Sequence, residues 1–171
     1  MPSRRQILKG ALGAGVALAA VCYGLSAGEP AADPPAAAAP ATLALFAAVI
    51  PVVLDGALPP GGPERAEAIA ATVDGVERIL GVLPAGLQAE LAQLGTVLSL
   101  RPVRAALTGV WPPWEAATAA DVAGFLERWR GSRFAALRAG YAALHDLPLA
   151  AWYAQPRAWP AIGYPGPQEP A

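Results

Sequence analysis

Residues 118–167 read TAADVAGFLERWRGSRFAALRAGYAALHDLPLAAWYAQPRAWPAIGYPGP. This stretch contains the only His of the chain, three of its five Trp, three of its four Tyr and five of its twelve basic residues. Thr118, followed three residues later by Asp121, has the pattern of a capping box at the start of a helix. The apolar residues that follow share one helical face: Val122, Phe125, Leu126 and Trp129.

A second helix is predicted after the break at residues 131–132 (Gly-Ser). Its apolar face is predicted to consist of Phe134, Leu137, Tyr141, Leu144 and Trp152. Pro148 should kink this helix, because its ring displaces the carbonyl group one turn earlier. The stretch therefore predicts two helices packed on each other, followed by a tail rich in aromatic residues and Pro.

The chain before this stretch predicts further short helices. Residues 42–58 are apolar on nearly every side, which is typical of a central core helix or of one covered by another subunit. Pro51 should kink or divide that helix. Two more helices, opened by Pro63 and Pro84, carry apolar stripes that predict an αα-hairpin with complementary faces. The fold prediction is an all-α domain over residues 42–171, a small orthogonal bundle of five or six short helices.

The N-terminus has the layout of a twin-arginine export signal. Arg4 and Arg5 precede Lys9 and a mildly apolar run of Ala and Gly. We predict a signal segment over residues 1–28 and a semi-rigid Pro/Ala linker over residues 29–41. Because this pathway exports folded proteins, the cargo or its partner is expected to acquire a cofactor in the cytoplasm. The alternative is a retained membrane anchor, since the apolar run is near the lower length limit for spanning a bilayer.

The charge balance argues against a nucleic-acid-binding protein. The formal net charge is −1, and the chain after residue 28 has nine basic and thirteen acidic residues. A nucleic-acid-binding domain normally has an excess of basic residues instead. Charged residues make up only 15% of the chain, which leaves apolar surface for a partner to cover. The single Cys, Cys22, lies in the predicted signal, so the remaining chain has no thiol for a disulfide or a metal site.

No catalytic constellation is recognisable in the sequence. His145 precedes Asp146, but successive helical residues point about 100° apart, so we do not expect Asp146 to orient His145 as a general base requires. With one His in the chain, a paired-His metal site is excluded. The chain has no C-x-x-C-H and no G-x-G-x-x-G motif, so neither covalent haem nor a dinucleotide-binding fold is predicted. We predict no catalytic, cofactor-binding or metal-binding residues.

Six Arg residues are candidates for binding charged groups. Arg101 and Arg104 are spaced to clamp a phosphate or carboxylate, but no glycine-rich loop lies nearby, and surface charge is the preferred interpretation. The other four lie beside aromatic residues and leave two interpretations open, a solvated or ion-paired face or a docking site for an acidic partner. These four are Arg128, Arg130, Arg133 and Arg138.

Aromatic residues in the WPPW turn and in the tail indicate an interaction surface. Trp and Tyr are costly to leave exposed and are enriched among residues that dominate interface energy. Packing on the chain's own core and binding to a partner both remain open for Trp152 and Trp159, whereas a partner is preferred for residues 164–167. The predicted partner-binding residues are Trp111, Trp114, Trp152, Tyr153, Trp159, Tyr164, Pro165 and Pro167.

Several segments, taken together with the twin-arginine leader, resemble the gluconate 2-dehydrogenase subunit 3 family. They are LFAAVIPVVLDGALP at 45–59, LTGVWPPW at 107–114, FLERWRGSRFAALRAGYAALHDLPLAAWY at 125–153 and GYPGP at 163–167. The resemblance implies a small helical subunit of a membrane-associated sugar or alcohol dehydrogenase. It also implies that this subunit has no cofactor and no catalytic residues of its own.

The same resemblance implies partners and a location. The catalytic partner would be an FAD-containing flavoprotein of the glucose–methanol–choline type, often accompanied by a multihaem cytochrome c that carries haem c. Because that flavoprotein has no signal, it would be carried folded to the periplasm with this chain by the twin-arginine translocase. The alternative function is a membrane-anchored helical scaffold without an enzyme partner.

Overall fold

The computed structural model describes residues 39–166. The predicted signal with Arg4 and Arg5, the linker up to residue 38 and Pro167 lie outside the described residues. Six α-helices occur in the described part: α1 (Pro40–Val53), α2 (Gly62–Val82), α3 (Ala85–Ser99), α4 (Arg101–Thr108), α5 (Ala119–Arg130) and α6 (Ala135–Tyr153). Short 3-10 turns are formed by Trp114–Ala116, Pro156–Ala158 and Pro160–Ile162. No strand occurs within residues 39–166, and the predicted all-α class is confirmed.

Helix α1 forms the centre of the bundle. It contacts α2, α3, α5, α6 and the turn that begins at Trp114. Its fully buried side chains are Leu45, Phe46, Val49 and Ile50. An all-round apolar helix needs neighbours on every side to remove it from water. Of the two interpretations of residues 42–58, the structure therefore gives the central core helix.

Two helices continue through a proline. Pro51 lies two residues before the end of α1, and Pro148 lies within α6. Of the two outcomes predicted at Pro51, a kink or a division, the division does not occur, although the helix ends at Val53, before residue 58. A proline removes one backbone donor from a helix, and in both helices neighbouring side chains are buried against other elements, including Ile50 in α1 and Leu144 in α6. Tertiary packing therefore sustains the helical path.

The predicted hairpin between α2 and α3 is wrong. The extensive contacts of α3 are with α1 and α4, whereas those of α2 are with α1 and α6. The contact between α2 and α6 is close, because a methyl group placed on Gly75 would lie 3.0 Å from the Cβ atom of Ala151. The two helices therefore do not pack as a pair: α2 packs on α1 and α6, whereas α3 packs on α1 and α4.

Helices α5 and α6 pack on each other as predicted. Trp129 of α5 lies against Gly140 of α6, where an added Cβ atom would come within 2.5 Å of the indole ring. The Trp129 ring also meets Phe125 edge to face at 4.9 Å, and its Nε1 donates to the carbonyl oxygen of Leu107 at 3.1 Å. The capping box is confirmed, since Thr118 and Asp121 exchange two side-chain-to-backbone hydrogen bonds of 3.2 Å.

Helices α1 and α3 approach each other at Gly95, and this contact generates a prediction about stability. A methyl group at Gly95 would lie 2.7 Å from the Cα atom and 2.8 Å from the backbone nitrogen of Thr42. Because backbone atoms cannot rotate aside, Gly95→Ala should lower the free energy of unfolding by about 1–3 kcal/mol. Urea denaturation followed by circular dichroism measures this change.

Gly86→Ala in the same helix is the matched control. No atom lies within 4 Å of the position that its methyl group would occupy. This substitution should raise the free energy of unfolding by up to about 1 kcal/mol, because Ala favours the helix and restricts the unfolded chain. Equal stabilities of the two variants would contradict the close contact between α1 and α3.

Candidate partner-binding surface

The two Trp residues of the WPPW turn have opposite environments. Trp111 is 65% exposed, whereas Trp114 is only 4% exposed. The Trp114 ring lies 5.7 Å from that of Phe125, and its turn contacts α1. The prediction that Trp114 binds a partner is therefore corrected, because its side chain fills the core. Trp111 remains available on the surface.

Arg104 is a buried structural residue, and its interpretation as surface charge is wrong. Its side chain donates to the carbonyl oxygens of Leu98 at 3.4 Å, Ser99 at 3.0 Å and Trp111 at 3.3 Å. Two of these carbonyls belong to the end of α3, where helical carbonyls lack intrahelical partners. The guanidinium group also lies 5.8 Å from the ring centre of Trp114. Arg104 thus ties the end of α3 to the backbone that carries the exposed Trp111 ring, while Arg101 stays exposed.

The beginning of the tail is part of the core. Trp152 is buried near the end of α6, so its predicted role in partner binding is corrected. Just beyond it, Gln155 donates hydrogen bonds to the Oγ1 atom of Thr72 at 3.2 Å and to the carbonyl oxygen of Ala151 at 3.1 Å. The end of α6 is therefore fixed against α2 by apolar burial and by a polar link.

The rest of the tail folds around Trp159. The half-buried Trp159 donates from Nε1 to the carbonyl oxygen of Tyr153 at 3.0 Å, and its ring meets that of Tyr164 edge to face at 5.4 Å. The backbone nitrogen of Tyr164 donates to the carbonyl oxygen of Trp159 at 3.0 Å. Gly166 is buried close to the same ring. The tail up to Gly166 therefore packs on its own domain.

This folding leaves an exposed apolar patch at the end of α6, which we call the tail cluster. It consists of Tyr153, Trp159, Ile162, Tyr164 and Pro165, of which all but Trp159 are exposed. Ile162 was absent from the predicted partner-binding residues, although its position among Pro and Tyr was visible in the sequence. Hydrogen bonds already fix the backbone that carries these side chains, so binding of a partner over them requires little further ordering of the segment.

Phe134 is a further exposed ring, and its predicted position is wrong. It was predicted to line the apolar face of α6, but it precedes the first helical residue and is 48% exposed. The guanidinium carbon of Arg133 lies 4.8 Å from its ring centre. The neighbouring Arg130 pairs with Glu127 at 3.1 Å, and Arg138 donates to the carbonyl oxygen of Ser132 at 2.7 Å. Arg128 instead donates to the carbonyl oxygen of Thr108 at the end of α4.

His145 and Asp146 do contact each other, contrary to the sequence prediction. Their Nδ1 and Oδ1 atoms are 2.8 Å apart. The imidazole ring also stacks on Tyr141 at 5.4 Å. In the described part of the chain no hydroxyl group donates to this pair, so the arrangement lacks the nucleophile that an activated triad requires.

Within residues 39–166, no three His, Cys, Asp or Glu side chains are grouped closely enough to hold a metal ion. None of the helices in that range combines the length and the apolar character needed to cross a membrane. The described domain carries three exposed features, namely the Trp111 ring, the tail cluster and an arginine-rich corner around Phe134.

No family model, curated protein or solved structure matches the chain. The resemblance to the gluconate 2-dehydrogenase subunit 3 family thus rests on the leader and on the segments quoted above.

The two ends of the WPPW turn give a matched pair of substitutions. Trp114→Ala should lower the free energy of unfolding by about 3–5 kcal/mol, because it opens a cavity beside Phe125 and α1. Trp111→Ala should change it by less than about 0.5 kcal/mol, since the exposed ring adds little to the core. Thermal and urea denaturation of both variants measure the difference. Equal losses of stability would show that Trp111 is a core residue and would remove it from the candidate surface.

Proposed function

We propose that this chain is the small, non-catalytic subunit of an exported flavoprotein dehydrogenase complex. In this role it supports the folded export, the maturation and the stability of its catalytic partner, an FAD-containing sugar or alcohol dehydrogenase of the glucose–methanol–choline type. A multihaem cytochrome c is proposed as a further subunit that accepts the electrons. The complex acts in the periplasm, associated with the membrane.

The exposed aromatic surface is the observation that carries this proposal. Trp111, Tyr153 and Tyr164 are exposed although the domain has a well-filled core. The Arg104 side chain donates to the backbone carbonyl oxygen of Trp111, and the Trp159 ring packs edge to face on the Tyr164 ring. Exposed aromatic side chains on a fixed backbone are typical of interface anchors, because they bury a large area at low entropic cost.

The leader supports the export role. Arg4 and Arg5, with Lys9 before a weakly apolar run, fit a pathway that moves folded proteins. Flavin is inserted in the cytoplasm, so a flavoprotein without its own signal needs a signal-bearing partner that binds it before export. A domain with exposed aromatic anchors and a twin-arginine leader meets both requirements.

The proposal predicts the result of replacing the arginine pair. Arg4→Lys with Arg5→Lys should leave both this chain and the flavin-dependent dehydrogenase activity in the cytoplasm, because the translocase no longer accepts the leader and the partner has no signal of its own. Cell fractionation, immunoblotting and a dye-reduction assay on each fraction measure the outcome.

Arg78→Lys with Arg101→Lys is the matched control, since both residues are exposed in the folded domain. This control should export chain and activity normally. If the chain with Arg4→Lys and Arg5→Lys stays in the cytoplasm while active flavoprotein reaches the periplasm, the flavoprotein does not depend on this chain for export. If the chain is found alone in the membrane with its leader uncut, the scaffold alternative is the better description.

A further inference from the structure

The turn between α5 and α6 carries a second surface, which we call the basic corner. It consists of Arg130, Arg133, Phe134 and Arg138, all of which are exposed. The side chain of Arg130 is 63% exposed even though it pairs with Glu127. The aromatic anchors discussed above do not include this corner.

Basic residues are concentrated in the part of the sequence that forms the basic corner. Residues 39–127 contain nine acidic and four basic residues, whereas residues 128–145 contain four Arg and no acid. Glu127 pairs with Arg130, so the excess positive charge of the corner lies on Arg133 and Arg138. The first turn of α6 also has no acidic residue, so the positive end of its helix dipole adds to the same sign. A surface of this kind selects a negatively charged partner and repels a positively charged one.

The side chains of the corner are held in place before any partner binds. Arg138 donates to the carbonyl oxygen of Ser132 at 2.7 Å, and Arg133 lies over the Phe134 ring. Ordering these side chains in advance lowers the entropic cost of binding. Arginine side chains held in this way suit carboxylate groups, which they bind through two parallel hydrogen bonds.

The surface beside the corner favours a protein over a membrane. The exposed residues that follow Phe134 on α6 are small, namely Ala135, Ala136, Ala139 and Ala142. Binding to a lipid surface needs a broad apolar face that enters the acyl boundary, and a single Phe ring among alanines does not supply one. A row of alanines instead lets a protein segment come close to the helix.

We propose that the basic corner docks an acidic segment of the catalytic flavoprotein subunit. This inference rests on the proposed function and adds the contact face and the charge of the partner's segment. Phe134 supplies an apolar anchor at the centre, and the three arginines pair with carboxylate groups around it.

Charge reversal tests this docking. Arg133→Glu with Arg138→Glu is compared with Arg78→Glu and Arg101→Glu, which change the net charge equally at exposed sites elsewhere. Binding of each purified chain to the proposed catalytic flavoprotein subunit is measured by biolayer interferometry at low and high NaCl. The corner variant should bind at least about tenfold more weakly and lose most of its salt dependence, whereas the control should stay within about twofold of the unmodified chain. Phe134→Ala should weaken binding while preserving the salt dependence.

Thermal denaturation establishes that each variant is folded. If the variant with Arg133→Glu and Arg138→Glu is unfolded, Arg133→Gln with Arg138→Gln takes its place. Equal binding by the corner and control variants would overturn the docking site but leave the proposed function intact. No binding by the unmodified chain would overturn both. A corner variant that loses binding to phosphatidylglycerol vesicles while still binding the flavoprotein would reassign the corner to the membrane and overturn the inference.

Discussion

The burial of most of α1, of which only Pro40 and Ala47 are exposed, is the constraint on which the other helices depend. Each of its buried residues, such as Phe46 and Ile50, contributes roughly 1.5–3 kcal/mol when removed from water. No single neighbour can cover a helix that is apolar all round, so α2, α3, α5 and α6 must each contribute a face. The close approach of Gly95 to Thr42 shows how tightly one of these neighbours fits. The positions of the outer helices follow from this central requirement.

The same requirement divides the aromatic residues into two groups. Trp114, Trp129 and Trp152 are buried inside the bundle, together with Phe46 and Phe125. Trp111, Phe134, Tyr153 and Tyr164 are exposed. The side chains of Arg104 and Trp159 donate to the backbone carbonyl oxygens of Trp111 and Tyr153. These exposed rings add little to the stability of the buried core, so stability alone does not explain their presence. A binding role for them is the basis of the proposed function.

Local sequence patterns predicted the class of the fold, the capping box at Thr118 and the pairing of α5 with α6, because periodicity and capping depend on nearby residues. They did not predict which elements meet over longer distances. The hairpin of α2 and α3 was wrong because an apolar stripe does not identify its partner. Trp111 and Trp114 look equivalent in WPPW, and the burial of Arg104 depends on carbonyl groups of another helix. Residues 118–167 hold most of the candidate surface, but α1 lies at the centre of the core.

We propose that this domain uses its exposed aromatic rings to bind a flavoprotein that carries out the chemistry. The most direct test is purification of the tagged, processed chain from the periplasm of its own host, followed by the absorbance spectrum and dehydrogenase assay of the eluate. The account predicts that a flavin-containing protein elutes with the chain in a fixed ratio and carries all of the activity. A chain that elutes alone as a monomer and oxidises a sugar or alcohol without any flavoprotein would contradict it.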